Sequence, residues 1–299
     1  MPDLEAARKK YETAEDLLSV VKMMKALAAA NIREYEQAGE SLTGYSRGIV
    51  LAFQGLLRTY PTGRIEAEPP GRALTGIIVF GSDQGMCGQF NDRIAAYALT
   101  VMKGLGTDRK DCRILAVGQR AFDRLAGLGL DAEDTLPVPG SPGAMAHAAQ
   151  DLIGVIDGWS TGTGVSRVLL VYNRHLSGPL YEPAMQRLLP LDQEWLAGIK
   201  AEPWPSRVLP IFRMEADGLF SHLLKHYLIA SIYQALAESL ASENASRLAA
   251  MQGAEKNIRD RIVLLKSAYN QERQVSITEE LIDIVSGFNA LEGGEGPDL

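Results

Sequence analysis

Residues 14–35 read AEDLLSVVKMMKALAAANIREY, and the spacing of their apolar side chains decides the fold. Steps of three and four from Ala14 collect Leu17, Val21, Met24, Ala28, Asn31 and Tyr35. The series continues through Ala38, Leu42, Tyr45, Ile49, Ala52 and Leu56, with Asn31 its one polar member. Such steps average 3.5 residues, the repeat that keeps one face of a helix on a partner helix. No proline stands between Pro2 and Pro61. The spacing therefore predicts one helix of roughly 55 residues, about 80 Å long. Gly39, Gly44 and Gly48 fall off this seam, each weakening the helix by about 1 kcal/mol relative to alanine, and mark a point for a kink. A lone asparagine on a seam reads as a register device.

Working outward, Pro61, Gly63, Pro69, Pro70 and Gly71 end the helix. The pattern then changes. Ile77–Phe80, Arg113–Val117 and Val168–Tyr172 are short apolar runs. Helical patterns from about Asn91, over 119–127 and over 142–157 separate them. Strands alternating with helices indicate a mostly parallel α/β sheet, small and Rossmann-like. Tyr181–Leu189 alternates loosely and reads as an added edge strand. From Phe212 to Leu291 proline is again absent, and Met251, Ala254, Ile258, Ile262, Leu265 and Tyr269 form a second seam. After a polar gap it resumes at Ile277, Leu281, Ile284, Phe288 and Leu291. The expected division is 1–60 for the first helix, 61–211 for the α/β domain, 212–292 for the second helix and 293–299 for a flexible tail. The simplest way to satisfy both seams is a long antiparallel coiled coil of the two terminal helices. Partner helices from other chains are the competing solution.

Composition agrees. The 299 residues carry a net charge of −7, which argues against nucleic-acid binding. No run of about 18 apolar residues predicts a membrane span. Cys87 and Cys112 are too few for a disulfide scaffold. Aromatic residues make up 7% of the chain, few for a compact core and suited to a rod.

Chemistry-bearing motifs are sparse. The turn Gly81-Ser82-Asp83-Gln84-Gly85-Met86-Cys87-Gly88 joins a strand to a helix, where glycines can cradle a phosphate. Its spacing misses both the dinucleotide fingerprint and the P-loop, so it reads as a tight turn and cap. Cys87 has no neighbouring His–Asp pair and reads as a small buried residue. His222 and His226 stand at i, i+4, yet no third ligand completes a metal site. Asp131, Glu133 and Asp134 lack calcium-loop alternation. The polar run Asn270–Ser276 interrupts the second seam and reads as a ring of partner contacts. No catalytic residue, metal or cofactor is expected.

Two segments carry a family resemblance. Ser239–Met251 reads SLASENASRLAAM, similar to the pattern SLASEHAARMAAM. Tyr269-Asn270, Arg273-Gln274 and Ser276-Ile277-Thr278 continue it to Ile284-Val285-Ser286-Gly287. Met24 and Ala28-Ala29 match a first-helix motif. Ser82, Asp83, Gly85, Cys87, Gly88 and Asn91 match SDRGLCGGLN. Together they resemble the gamma subunit of F-type ATP synthases. The resemblance implies a non-catalytic central rotor shaft, coupling ion flow through a membrane ring to catalytic beta subunits. It implies alpha, beta and epsilon subunits and the c-ring as partners, with the membrane met only through them. The implied place is the cytoplasmic face of a prokaryotic inner membrane. Arg273, Gln274 and Thr278 map onto the family's contact with beta. Gln84, Gln89-Phe90 and Lys25 depart from the pattern and resemble a divergent branch, the alternate enzymes proposed to pump sodium.

Overall fold

A computed structural model of the chain describes residues 2–60, 74–106 and 109–292. The linker prolines and the tail 293–299 lie outside the described residues. The chain forms two compact units: one of residues up to Leu27 with residues from Ala250, the other of Ala28–Ala249.

In the larger unit a five-stranded sheet has the order β3-β2-β1-β4-β5. Its strands are β1 (Leu74–Phe80), β2 (Cys112–Val117), β3 (Asp134–Leu136), β4 (Val165–Ser177) and β5 (Leu180–Leu189). The first four are mutually parallel, and β5 returns antiparallel along β4. β1 carries the continuous apolar run Ile77–Phe80 because both of its faces are covered. Ile78 and Phe80 pack with α4 (Pro142–Thr163) and with Leu228–Ala241 of α6 (Ala216–Glu292). Ile77 and Val79 pack on α2 (Phe90–Gly104) and α3 (Gln119–Gly127). The edge strand expected at Tyr181–Leu189 is β5, with Ala184 and Leu188 turned inward.

Besides the single 3-10 turn Arg109–Asp111, a strand and a helix escape sequence reading. β3 is three residues long and lies in the acidic stretch after Asp131, held by its pairing to β2. α5 (Gln193–Ala201) is a short helix capped by Asp192, whose carboxylate accepts the Glu194 N–H at 2.9 Å. Its Leu196 and Trp195 join Phe53 and Leu57 of α1 (Pro2–Thr59) in a separate cluster. There Phe53 meets Trp195, Phe220 and Tyr227 edge-on, with centroids 5.7–6.3 Å away.

α1 is one uninterrupted helix, so no break occurs at its glycines. Its seam is also shifted from the expected phase. In the smaller unit Ala14 and Val21 are buried and Leu18 is partly covered, whereas Leu17 is 52% exposed. In the larger unit Ala28, Ile32, Tyr35, Gly39, Ile49 and Phe53 are buried, and Tyr45 is exposed. Every second member of the expected series is buried or partly covered. Of the members between them Leu17 and Tyr45 are exposed and Met24, Asn31, Ala38 and Ala52 partly covered, and the residue following each of these is covered as well. Gly39 thus lies on the seam rather than off it: a Cβ there would stand 3.5 Å from Ala237 Cβ.

Phe53 is fully buried. Phe53→Ala should lower unfolding free energy by about 3–5 kcal/mol, measured by urea denaturation.

Candidate functional site

The Gly-rich turn between β1 and α2 is closed by its own side chains. Asn91 accepts the Ser82 N–H at 3.0 Å and donates to Ser82 Oγ at 2.8 Å. Ser82 Oγ donates to the Gln84 carbonyl at 2.9 Å. Asp83 reaches sideways and accepts the N–H groups of Gln119 and Val138, both at 2.8 Å. Its carboxylate thereby sits at the N-terminus of α3, where a bound anion would otherwise gain from the helix dipole. Two glycines are required by close approach. A Cβ on Gly81 would lie 2.2 Å from Ala121 Cβ, and one on Gly118 2.7 Å from the Ser82 backbone. Gly118 also has φ +105°, unfavourable for any side chain. Gly85 lies half-buried beside Arg120, and Gly88 has φ +57°.

The turn lies at the carboxyl ends of the strands, where the order reverses between β1 and β4. Open α/β sheets bind ligands in that crevice. Here α6 fills it. Ser246 Oγ donates to the Cys87 carbonyl at 2.6 Å, and Ser242 Oγ donates to the Asn173 carbonyl of β4 at 2.9 Å. Tyr181 of β5 closes the edge, 3.2 Å from Ser246 Oγ, with Arg93 stacked over its ring. The sequence motif of the turn and the SLASENASR motif of α6 are two halves of one joint.

Charged groups are buried beside it. Arg247 bonds Glu243 at 2.6 Å, and both are under a tenth exposed. Burial pushes the Glu243 carboxyl up, and Arg247 pulls it back. Asn244 faces Asn31 of α1 at 3.4 Å, so the lone seam asparagine meets another amide. Burial likewise pushes the Cys87 thiol up, which keeps it protonated and a poor nucleophile. His226 is held by the Tyr45 hydroxyl at 2.8 Å, and His222 is exposed. Among the described residues no group of three His, Cys, Asp or Glu is placed to hold a metal.

The smaller unit holds the rest of the predicted seam. Met251 is buried and Met24, Ile258, Ile262 and Leu265 are partly covered. Sequence reasoning missed Lys25 and Glu255. Lys25 Nζ stands 2.5 Å from Glu255 Oε2, and Arg259 bonds the other carboxylate oxygen at 2.6 Å. Those two bonds hold the Glu255 carboxyl below its ordinary value. The visible signal was Glu255 four residues before Arg259. Past Ser276 every α6 residue to Asn289 is exposed, because the helix has run beyond the described part of α1. Among the described residues no helix therefore lies on the resumed seam of Ile277, Leu281, Ile284 and Phe288; these side chains are 46–68% exposed. Arg273, Gln274 and Thr278 are exposed on the same stretch.

Comparison with known proteins covers this whole arrangement. The family described as ATP synthase matches residues 3–291. The ATP synthase gamma chain of Nitratidesulfovibrio vulgaris is 29% identical over 98% of this chain and all of that one. That of Dechloromonas aromatica is 29% identical over 97% of this chain and all of its own. Among solved structures, a chain of the Euglena gracilis mitochondrial ATP synthase superposes with a TM-score of 0.62 at 18% identity, covering 99% of this chain and 97% of its own. A chain of the Tetrahymena thermophila central stalk and c-ring gives 0.57 at 22% identity, over 79% and 99%.

Two outcomes follow from the geometry. Cys87 should resist iodoacetamide in the native chain and react at least tenfold faster in urea, read by mass spectrometry. Because the Glu255 carboxyl is lower in the folded state than in the unfolded chain, it stabilises the fold above the ordinary carboxylate range. That contribution disappears as pH falls through the lowered value. Urea titrations from pH 7 to 3 should show an acid loss of stability that is smaller in Glu255→Gln.

Proposed function

We propose, from the premise that the chain belongs to the ATP synthase family, that it is the gamma-type central shaft of a rotary ATP synthase. It couples ion flow through the c-ring to conformational change in the catalytic subunits. The observation that carries this reading is the end of α6. A helix that leaves its intramolecular partner and continues with an apolar face is built to be surrounded by other subunits. The family match from residue 3 to 291 runs through that end.

On this reading residues 1–60 and 212–292 are the shaft helices and 61–211 the α/β domain, supported by the helix bounds Pro2–Thr59 and Ala216–Glu292. The shaft performs no chemistry itself. In support, the switch-point crevice is filled by α6 and the anion position on α3 by Asp83. Alpha and beta subunits surround the end of α6, while epsilon and the c-ring meet the other end. No described helix is long and apolar enough to cross a membrane. The chain then meets the membrane through its partners, on the cytoplasmic face of a prokaryotic inner membrane.

Mechanism follows from asymmetry. Three equivalent catalytic subunits around one helix pair meet different side chains at any instant. Each rotor position favours an open form of one subunit and a closed form of another, and rotation moves that preference on. Arg273, Gln274 and Thr278 are the contact ring. Arg273 offers a planar fork of donors to a carboxylate, and Gln274 a neutral amide. Exposed contacts of this kind are modest in strength, which suits a shaft that must release as well as hold.

Arg273→Ala with Gln274→Ala should lower ATP hydrolysis in the complex reconstituted with alpha and beta subunits by several-fold. The thermal unfolding midpoint of the chain should stay within about 1 °C. Unchanged turnover would remove the contact-ring assignment.

A further inference from the structure

In the smaller unit the sequence of α1 offers two helix faces of almost equal apolarity. Leu17-Leu18, Val20-Val21 and Met23-Met24 are doubled. One series, Ala14, Leu17, Val21, Met24, Ala28, is wholly apolar. The other, Ala14, Leu18, Val21, Lys25, Ala28, carries a lysine. The centres of the two faces differ by roughly 40° of helix rotation at about 100° per residue. Hydrophobicity alone favours the first. The structure favours the second at one of the two levels where they differ: Leu18 is partly covered and Leu17 is 52% exposed. At the other level Met24 and Lys25 are both partly covered, and Val20, Met23 and Leu27 face outward at 53–65% exposure.

One polar contact separates the two. Lys25 Nζ lies 2.5 Å from Glu255 Oε2, and Glu255 is a buried residue of the facing helix. Arg259 holds the second carboxylate oxygen at 2.6 Å. Turning α1 to the all-apolar face would carry Lys25 off the seam and leave Glu255 with Arg259 alone. A ring contact marks the same register further along. Two heptads down α1 from Lys25, Tyr11 stacks on Tyr269, two heptads up α6 from Glu255, with centroids 6.5 Å apart. Tyr11, Leu18 and Lys25 share one heptad position, so the ring contact and the ion pair belong to the same phase.

We propose that Lys25 and Glu255, braced by Arg259, are positioning residues that set the rotational phase of α1 on α6. They hold the apolar stripe Leu17, Val20, Met23 and Leu27 outward. A single polar pair on an apolar seam selects among packings at some cost in stability. Its consequence for coupling rests on the shaft reading: the outward stripe is then the surface that α1 presents to the surrounding subunits. The phase assignment itself does not depend on that reading.

The test is thiol accessibility in the full-length chain with Cys87 and Cys112 replaced by alanine. Leu17→Cys and Leu18→Cys are introduced separately and labelled with a maleimide. In the parent the thiol at 17 should react at least fivefold faster than the thiol at 18. Lys25→Arg should keep that ratio. Lys25→Met with Glu255→Leu should bring it to unity or reverse it, with an unfolding midpoint no lower than the parent's. A ratio that stays fivefold in the double variant overturns the proposal. Should the double variant fail to fold, Glu255→Gln, which keeps the side-chain shape, decides by the same ratio. In the reconstituted complex the double variant should move at least twofold fewer ions per ATP hydrolysed. A shifted labelling ratio with unchanged coupling leaves the phase assignment standing and removes its bearing on the shaft.

Discussion

The larger unit depends on the seating of α6 in the crevice at the carboxyl ends of β1 and β4. Ser242 and Ser246 give their hydroxyls to backbone carbonyls of Asn173 and Cys87. Short side chains suit the joint because each hydroxyl reaches its carbonyl directly from the helix. A larger residue would push the helix out and uncover both carbonyls, which are costly to bury unpaired. The turn geometry follows from the same demand. Gly88 faces Ser246, and Asn91 gathers Ser82 into a compact knot. Asp83 ties that knot to α3 and to the segment after β3. A site that elsewhere in α/β folds receives a phosphate is here spent on holding a helix.

The same seating explains why a buried ion pair is tolerated. Glu243 and Arg247 are one turn apart on α6, so the pair forms within one element and needs little ordering. Removing either partner would strand the other in a dry place, which is the expensive outcome. Asn31 and Asn244 add a polar contact across to α1. The two units thus use different polar devices on their seams: amides and a local ion pair in one, a cross-helix lysine–glutamate contact in the other. Most of the notable ring contacts gather around Phe53, where α1, α5 and α6 meet.

The sequence made the helices, the parallel strands and the family legible, and it did so for physical reasons. Long proline-free runs with heptad spacing have few alternatives, and β1 is apolar on both faces because both are covered. The phase of α1 was not legible. Doubled residues such as Leu17-Leu18 satisfy either face, and the reading that maximised apolar contact took Leu17 where the structure covers Leu18, while Val21, Met24 and Ala28 are covered as expected. The decisive residue was a lysine, which pattern reading assigns to solvent. β3 was hidden because pairing with β2, not its own side chains, makes it a strand. The docking role of Ser242 and Ser246 was hidden because two serines on a helix carry no signal until the facing carbonyls are known.

The exposed stretches now read as one economy. On the shaft reading a rotor needs a dry interior, so that it stays stiff, and a surface that other subunits grip and release. Doubling apolar residues along α1 supplies both from one helix, one member inward and its neighbour outward. That arrangement is unstable to rotation, since each face can serve as the other. A purely apolar seam would leave the helix free to turn under load. A charged pair that forms in only one phase removes that freedom at a single level, and the remaining residues need only be small and apolar. The departure of Lys25 from the family's first-helix pattern is then half of a device, and Glu255 is the other half.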